Sequence, residues 1–251
     1  MKKLYWLALL LAVAILIISA VKLFGYFSQS WKSDQITDTM LQSGSGGPAE
    51  GEATQTSGSY EVRTSPLQVD FDTLQKQYPD LAAWIYSPDT PINYPVMYSG
   101  DNDYYLRRLP DGTANQNGSL FLDYRNAIDF SDLNCIIYGH NMKNSDMFGS
   151  LENYREQSYF EKHPVMYILT PDANYEMRLL GGYDTPPDSS AYDIPASLEE
   201  RNQLADMALR ASVFESGYEP DGEGALVTLS TCTYGAANDR FIIVGYLIEI
   251  E

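Results

Sequence analysis

Three residues carry the chemistry this sequence allows: Cys232 at the end of "ALVTLSTC", His140 in "NCIIYGHN" and Arg240 at the start of "RFIIVGYL". A thiolate is a good nucleophile, and neighbouring cations lower its pKa. A histidine can take the thiol proton and later hand one to a leaving amine. An arginine stays charged at any usable pH and can donate in a fork to a carbonyl or a developing oxyanion. The amide of Thr233, directly after the cysteine, is a natural second oxyanion donor. Together these groups describe acyl transfer. Each also has a plainer reading. A cysteine at a strand end is usually inert packing or half of a disulfide, a single histidine is usually structural, and an arginine at a strand start is usually surface charge.

The elements around them decide whether they can meet. Along an extended strand the side chains alternate, so Leu226, Thr228, Ser230 and Cys232 share one face. The same parity groups Ile136, Tyr138 and His140, and Arg240 with Ile242, Val244 and Tyr246. If the three strands are neighbours, the polar groups converge at one rim. Cys135 has the opposite parity to His140 and reads as core; a disulfide from it to Cys232 would block the nucleophile. His163, before a proline in "EKHPV", reads as an extended surface residue.

The rest of the head is β-rich. "AAWIYSP", "INYPVM", "GSLFLDY", "VMYILT" and "YEMRLLGGY" add further short strand signals. Their spacing predicts a closed or nearly closed barrel of about eight strands. "DFDTLQKQY" predicts a short helix capped by Asp70, with Phe71, Leu74 and Tyr78 on one face. "SLEERNQLADMALRASVF" opens with a Ser197–Glu200 capping box and carries a stripe of Leu204, Met207, Ala208, Ala211 and Phe214. It predicts one long amphipathic helix between late strands. "SDMFGSLENY" adds a shorter helical turn.

The N-terminus is different. After Lys2 and Lys3, 18 uncharged residues run from Leu4 to Val21. At roughly 1.5 Å per residue this nearly spans a bilayer core. Tyr5, Trp6, Tyr26 and Phe27 stand where interfacial aromatics belong. Residues 1–27 therefore read as an uncleaved single-pass anchor with a cytoplasmic N-terminus, which puts the remainder outside the cell. Residues 28–65, rich in Gly, Ser, Thr and Glu, read as a flexible linker. Residues 66–251 form the head. With 34 acidic against 16 basic residues, the net charge is -18, which argues against nucleic acid as a partner. No zinc-type spacing of Cys and His occurs, and "DND" at 101–103 lacks the later ligands of a calcium loop, so no metal or other cofactor is expected.

"TLSTC" followed eight residues later by arginine, with "YGHN" about ninety residues upstream, resembles the sortase signature. "AAWIYSPDTPINYPVMYSGDNDYYL", "GSLFLDYRN" and "MFGSLENY" resemble blocks of its class B subgroup, and the resemblance covers essentially the whole head. It implies a cysteine transpeptidase of Gram-positive bacteria with Cys232 as nucleophile, His140 as acid and base, and Arg240 as the carbonyl and oxyanion partner. It further implies a substrate groove lined by Asn102, Leu106, Tyr138 and Ser230, with Leu106 open to a plain core reading. The loop "DTPPDSSAYDIP" should border that groove, and Thr233 and Tyr234 should tune specificity. Implied partners are secreted proteins bearing a sorting signal, cut after threonine, and an acceptor amine of peptidoglycan; a pilin lysine is the alternative within the family. Papain-like enzymes have Cys before His, and L,D-transpeptidases carry Arg close after Cys, so both fit less well. A tethered binding module would have no reactive thiol.

Overall fold

The computed structural model describes residues 2–44, 64–218, 220, 222–233 and 239–251. Eight strands close into a barrel in the order β1-β2-β3-β4-β7-β8-β6-β5. They are β1 (Leu81–Tyr86), β2 (Asn93–Met97), β3 (Leu120–Leu122), β4 (Asn134–Tyr138), β5 (Val165–Leu169), β6 (Asn174–Thr185), β7 (Leu226–Cys232) and β8 (Arg240–Ile250). The pairs β2/β3 and β4/β7 are parallel, and the rest are antiparallel.

The period-2 pattern sorts the side chains into two layers. Cys135, Ile137, Val227, Leu229, Phe241 and Ile243 fill the barrel interior. Ile136, Leu226, Ile242, Val244 and Tyr246 face outward beneath a second apolar layer. That layer comes from the helix Leu198–Ala211 and the short turn Ser190–Tyr192, which together roof one side of the barrel. The helix starts where expected, with Ser197 Oγ accepting from the Glu200 amide at 3.3 Å. Glu200 answers one residue further back, accepting from the Ala196 amide at 2.8 Å. The stripe is shifted from its expected position. Arg201, Leu204, Ala205 and Ala208 are buried, Met207 is half-buried, and Ala211 is exposed because the helix ends there.

The helix Phe71–Gln77 is capped as read, by Asp70 accepting from the Thr73 amide at 3.0 Å. Phe71, Leu74 and Tyr78 cover a third cluster with Trp84, Met97 and Phe121. His163 does not behave as a free surface residue. It ends the helix Gln157–Lys162, stands half-buried against Tyr159, and its Nδ1 lies 3.2 Å from the Pro88 carbonyl.

The main departure from the sequence reading is at residues 28–44. These were expected to open a flexible linker, but α1 runs unbroken from Lys2 to Gly44. Ser30, Ser33, Thr37, Met40 and Gly44 are buried against the head, recurring every three or four residues. This is a helical face made of small and polar residues instead of large apolar ones. Ser30 Oγ donates to Asp146 at 2.9 Å, and the Asn115 amide group donates to the Gln29 carbonyl at 3.0 Å. Met40 inserts fully among Phe71, Leu74 and Trp84. Thr39 and Ser43 bond back onto α1's own carbonyls, which lets hydroxyl residues sit in a helix without an orphaned donor. Linker residues 45–63 lie outside the described residues. The apolar part of α1 makes it the one helix, among the described residues, long and apolar enough to cross a membrane.

The docked face carries a prediction. Removing residues 1–27 is expected to leave the melting temperature of the head unchanged. Removing 1–44 empties the Met40 site, where burial of a methionine side chain contributes about 1.5–3 kcal/mol. The melting temperature should then fall by roughly 3–12 °C. Equal melts for the two truncations would show that the docked face adds nothing.

Candidate active site

The barrel brings the three chemistry-bearing residues to one rim. β4 and β7 run parallel with Tyr138 opposite Ser230, and the Gly139 amide extends the ladder by donating to the Ser230 carbonyl at 3.0 Å. The next outward position on each strand is His140 and Cys232. On the other side of β7, Cys232 pairs directly with Arg240 of β8. Side chains directly opposite in an antiparallel pair stand on the same face, about 5 Å apart at Cβ. Position 139 has no room for a side chain, since a Cβ there would collide with Leu120 and Phe148. Glycine is thus what lets the chain pass between β3 and the turn 149–155 and deliver His140 to the rim.

Cys232 is exposed and its thiol is free. The strand end that carries it is pinned by Asn141, whose amide group donates to the Cys232 carbonyl at 2.7 Å. Asn141 follows the histidine in "YGHN", and its role was not read from the sequence. Cys135 is also free and lies inside the barrel, where burial pushes its thiol pKa far up. A disulfide between the two would have to cross the sheet.

His140 lies with Nε2 2.8 Å from the Leu106 carbonyl. A carbonyl only accepts, so Nε2 carries the proton and Nδ1 is the basic atom of the neutral ring. Burial holds the imidazole below its ordinary pKa, and the nearby Arg107 charge adds to this, while the bond to Leu106 works against it. The ring is therefore neutral at pH 7, as a base must be. The Leu106 carbonyl is itself held in place by a close approach: Gly118, at φ +61, lies directly against it.

A groove of about 260 Å³ runs along the outer face to this rim. Tyr138, Gly139, His140, Ser230, Thr231 and Cys232 form its floor, with Asn102, Leu106 and Phe121 on one side and Pro187 and Tyr192 on the other. Asn102, Leu106, Tyr138, Ser230 and Arg240 thus all stand where the sequence reading put them. Leu106 serves both readings, packing on the third cluster and lining the groove. Pro187 and Tyr192 come from the loop expected to border the groove. Thr233 is the exception. Its amide donates to the Asp239 carbonyl at 3.1 Å, extending the β7/β8 ladder, so it is not free for an oxyanion. Nor is Thr233 among the described groove residues, and Tyr234 lies outside the described residues. Arg240 is left as the oxyanion donor identified among the described residues.

Beneath the groove lies a residue the sequence reading missed. Asp123 is 1% exposed and accepts from both Nε and Nη2 of Arg125, at 2.9 and 2.8 Å. It also accepts from Tyr138 Oη at 2.9 Å and from the Asn102 amide group at 3.3 Å. Burial alone would raise its pKa, but the Arg125 and Tyr138 hydrogen bonds outweigh it and hold the carboxyl below its usual range.

Comparison with known proteins agrees with this geometry. The Sortase domain family matches residues 85–248. The chain is 36% identical to sortase B of Listeria monocytogenes over 180 residues, which cover 70% of this chain and 72% of that protein. It is 29% identical to sortase B of Staphylococcus aureus over 188 residues, covering 74% and 77%. Among solved structures, sortase B of Bacillus anthracis superposes with a TM-score of 0.72 at 27% identity, covering 89% of this chain and 99% of that one. The S. aureus enzyme, solved as a substrate complex and also with triglycine, gives 0.68 at 29% identity, covering 72% and 86%. An exposed thiol, a neutral histidine and an arginine at the end of one groove, on a barrel of this topology, are those of a cysteine transpeptidase, and the chain belongs to the sortase family, in its class B.

Proposed function

We propose that this enzyme cleaves a C-terminal sorting signal of secreted proteins after threonine and transfers the acyl group to an amine of peptidoglycan, fixing surface proteins to the wall. The observation that carries this reading is the exposed Cys232 beside Arg240 and His140 at the end of an open groove. Cys232 Sγ attacks the threonine carbonyl carbon as its proton passes to His140 Nδ1. The oxyanion that forms faces the Arg240 guanidinium. The C–N bond then breaks, His140 returns the proton to the departing amine, and a thioester remains on Sγ. An acceptor amine attacks this thioester, gives a proton to His140, and the thiolate leaves and is reprotonated. The substrate and triglycine complexes of the S. aureus relative support a peptide donor and an amine-bearing acceptor for this chain. The apolar half of α1 is read as the membrane anchor, with the N-terminus cytoplasmic and the head outside.

The partition of the thioester tests the reading. Without acceptor, the enzyme should hydrolyse its peptide slowly and accumulate an acyl adduct on Cys232, visible by mass spectrometry and released by hydroxylamine as a hydroxamate. A panel of stem-peptide amines and pilin-type lysine peptides should divert it to a new amide. Asn-Pro-x-Thr and Ser-Pro-x-Thr peptides are the donors to try first. An adduct that no amine intercepts would make the protein a protease on a sortase scaffold. Capture only by the lysine peptides would replace wall anchoring with pilin polymerisation.

A further inference from the structure

We propose that Asp123 and Arg125 are positioning residues that set the groove's width and aim the Asn102 amide at the substrate. The inference rests on the function proposed above and concerns how the same site selects its peptide. Neither residue lines the groove, yet each reaches both of its sides. Asp123 receives Asn102 from one side and Tyr138 from the floor, at 3.3 and 2.9 Å. Arg125 clamps Asp123 with two parallel bonds and uses the same Nη2 to reach the Tyr192 carbonyl on the other side, at 3.1 Å. Tyr192 in turn shares a hydrogen bond of 2.9 Å with Ser230 Oγ and stacks on Tyr138 at 6.1 Å between ring centroids. The two sides and the floor are thus one connected network centred on a buried carboxylate.

The network also decides what the groove offers to a ligand. The Tyr138 hydroxyl is spent on Asp123, and the Tyr192 and Ser230 hydroxyls are spent on each other. The floor therefore presents mainly ring faces. Asn102 is fixed at both ends of its amide: Oδ1 accepts from the Tyr124 amide at 3.0 Å, and one N–H goes to Asp123. Its second N–H is left for the groove, where it suits a peptide carbonyl or another acceptor. An aspartate at 123 prevents the Asn102 amide from flipping, because an ionised carboxylate only accepts. The guanidinium at 125 must serve three acceptor contacts in one plane, which an ammonium cannot do.

The test uses the full-length enzyme in detergent and a sorting-signal peptide, with Asp123→Asn, Arg125→Ala and Arg125→Lys. Each variant should raise KM at least tenfold while kcat changes less than about threefold. Alkylation of Cys232 by iodoacetamide, which needs no groove, should stay within about twofold of the unaltered enzyme. Arg125→Lys should be no better than Arg125→Ala. In an Asn102→Ala background, Asp123→Asn should cost clearly less than it does alone, because part of its effect runs through Asn102. Unchanged KM, full rescue by lysine, or a cost that is the same with and without Asn102 would overturn the inference. A parallel loss of alkylation would reduce the pair to a support for the fold. Failure of the proposed function would appear earlier and elsewhere, as an unaltered enzyme that turns over no sorting peptide.

Discussion

Replacing Cys232 by alanine is expected to abolish both hydrolysis and transfer of a sorting-signal peptide, a loss on the order of 10⁴ or more, as when an enzyme loses its nucleophile. No other residue can take over. The only other thiol, Cys135, is inside the barrel and held protonated by burial. The fold should survive, since Cys232 is exposed at a strand end and exposed substitutions rarely exceed about 0.5 kcal/mol. Unchanged melting together with lost turnover and lost alkylation by a small electrophile is the expected signature. Turnover comparable to the unaltered enzyme would remove the thioester mechanism altogether.

The second large effect is at the two residues flanking the thiol. Alanine at His140 or Arg240 should cost on the order of 10² or more in kcat/KM, the usual scale for acid–base and oxyanion groups. Arg240→Lys should recover only part of the loss, because a point charge does not reproduce the fork; full recovery would mean that charge alone matters there. His140 also sets a pH dependence. Its pKa is depressed by burial, so the neutral ring persists as pH falls below the ordinary value of about 6.5. Activity that needs neutral His140 should therefore fall on an acid limb lying below that value. The stability contribution has the same direction. It is fully present above the unfolded pKa and is lost as pH falls through the folded one, because the unfolded chain then binds the extra proton. A kcat/KM profile whose acid limb lies above pH 7 would contradict the neutral resting state.

The parts of this molecule legible in the sequence are those governed by local periodicity. All eight strands follow runs of β-branched and aromatic residues, and the parity of Tyr138 with His140 and of Ser230 with Cys232 holds because side-chain alternation is a property of the strand itself. What parity does not give is adjacency. That β4 lies beside β7 rather than β5 depends on a crossover whose partners are far apart in the chain. The Thr233 amide was misjudged for a related reason. Its donor is spent on extending the ladder to β8, and strand ends are not visible in composition. Asp123 and Arg125 sat inside a quoted block, "GSLFLDYRN", without a role, because a buried hub is defined by who reaches it, and the groups that do come from four separate segments. α1 beyond residue 27 was hidden by its own chemistry. A docking face of Ser, Ser, Thr, Met and Gly has helical spacing, but a search for apolar residues passes over it.

That face changes how the enzyme meets its substrate. A flexible tether of 38 residues, as the composition of 28–65 suggests, would let the head wander over roughly 35 Å about its anchor. The observed helix carries the anchor's axis straight into the barrel, with Gln29 and Ser30 already bonded to Asn115 and Asp146. Asn115 belongs to the loop that leads from Leu106 to Gly118, and Asp146 to the loop that starts at His140, so both loops at the catalytic rim touch the first turns of α1 past the apolar run. On the proposed topology the thiol then travels at a set height above the lipid, facing a set direction around the helix axis. Encounter becomes a two-dimensional problem, governed by lateral diffusion of enzyme and substrate in one plane instead of by a search through the wall.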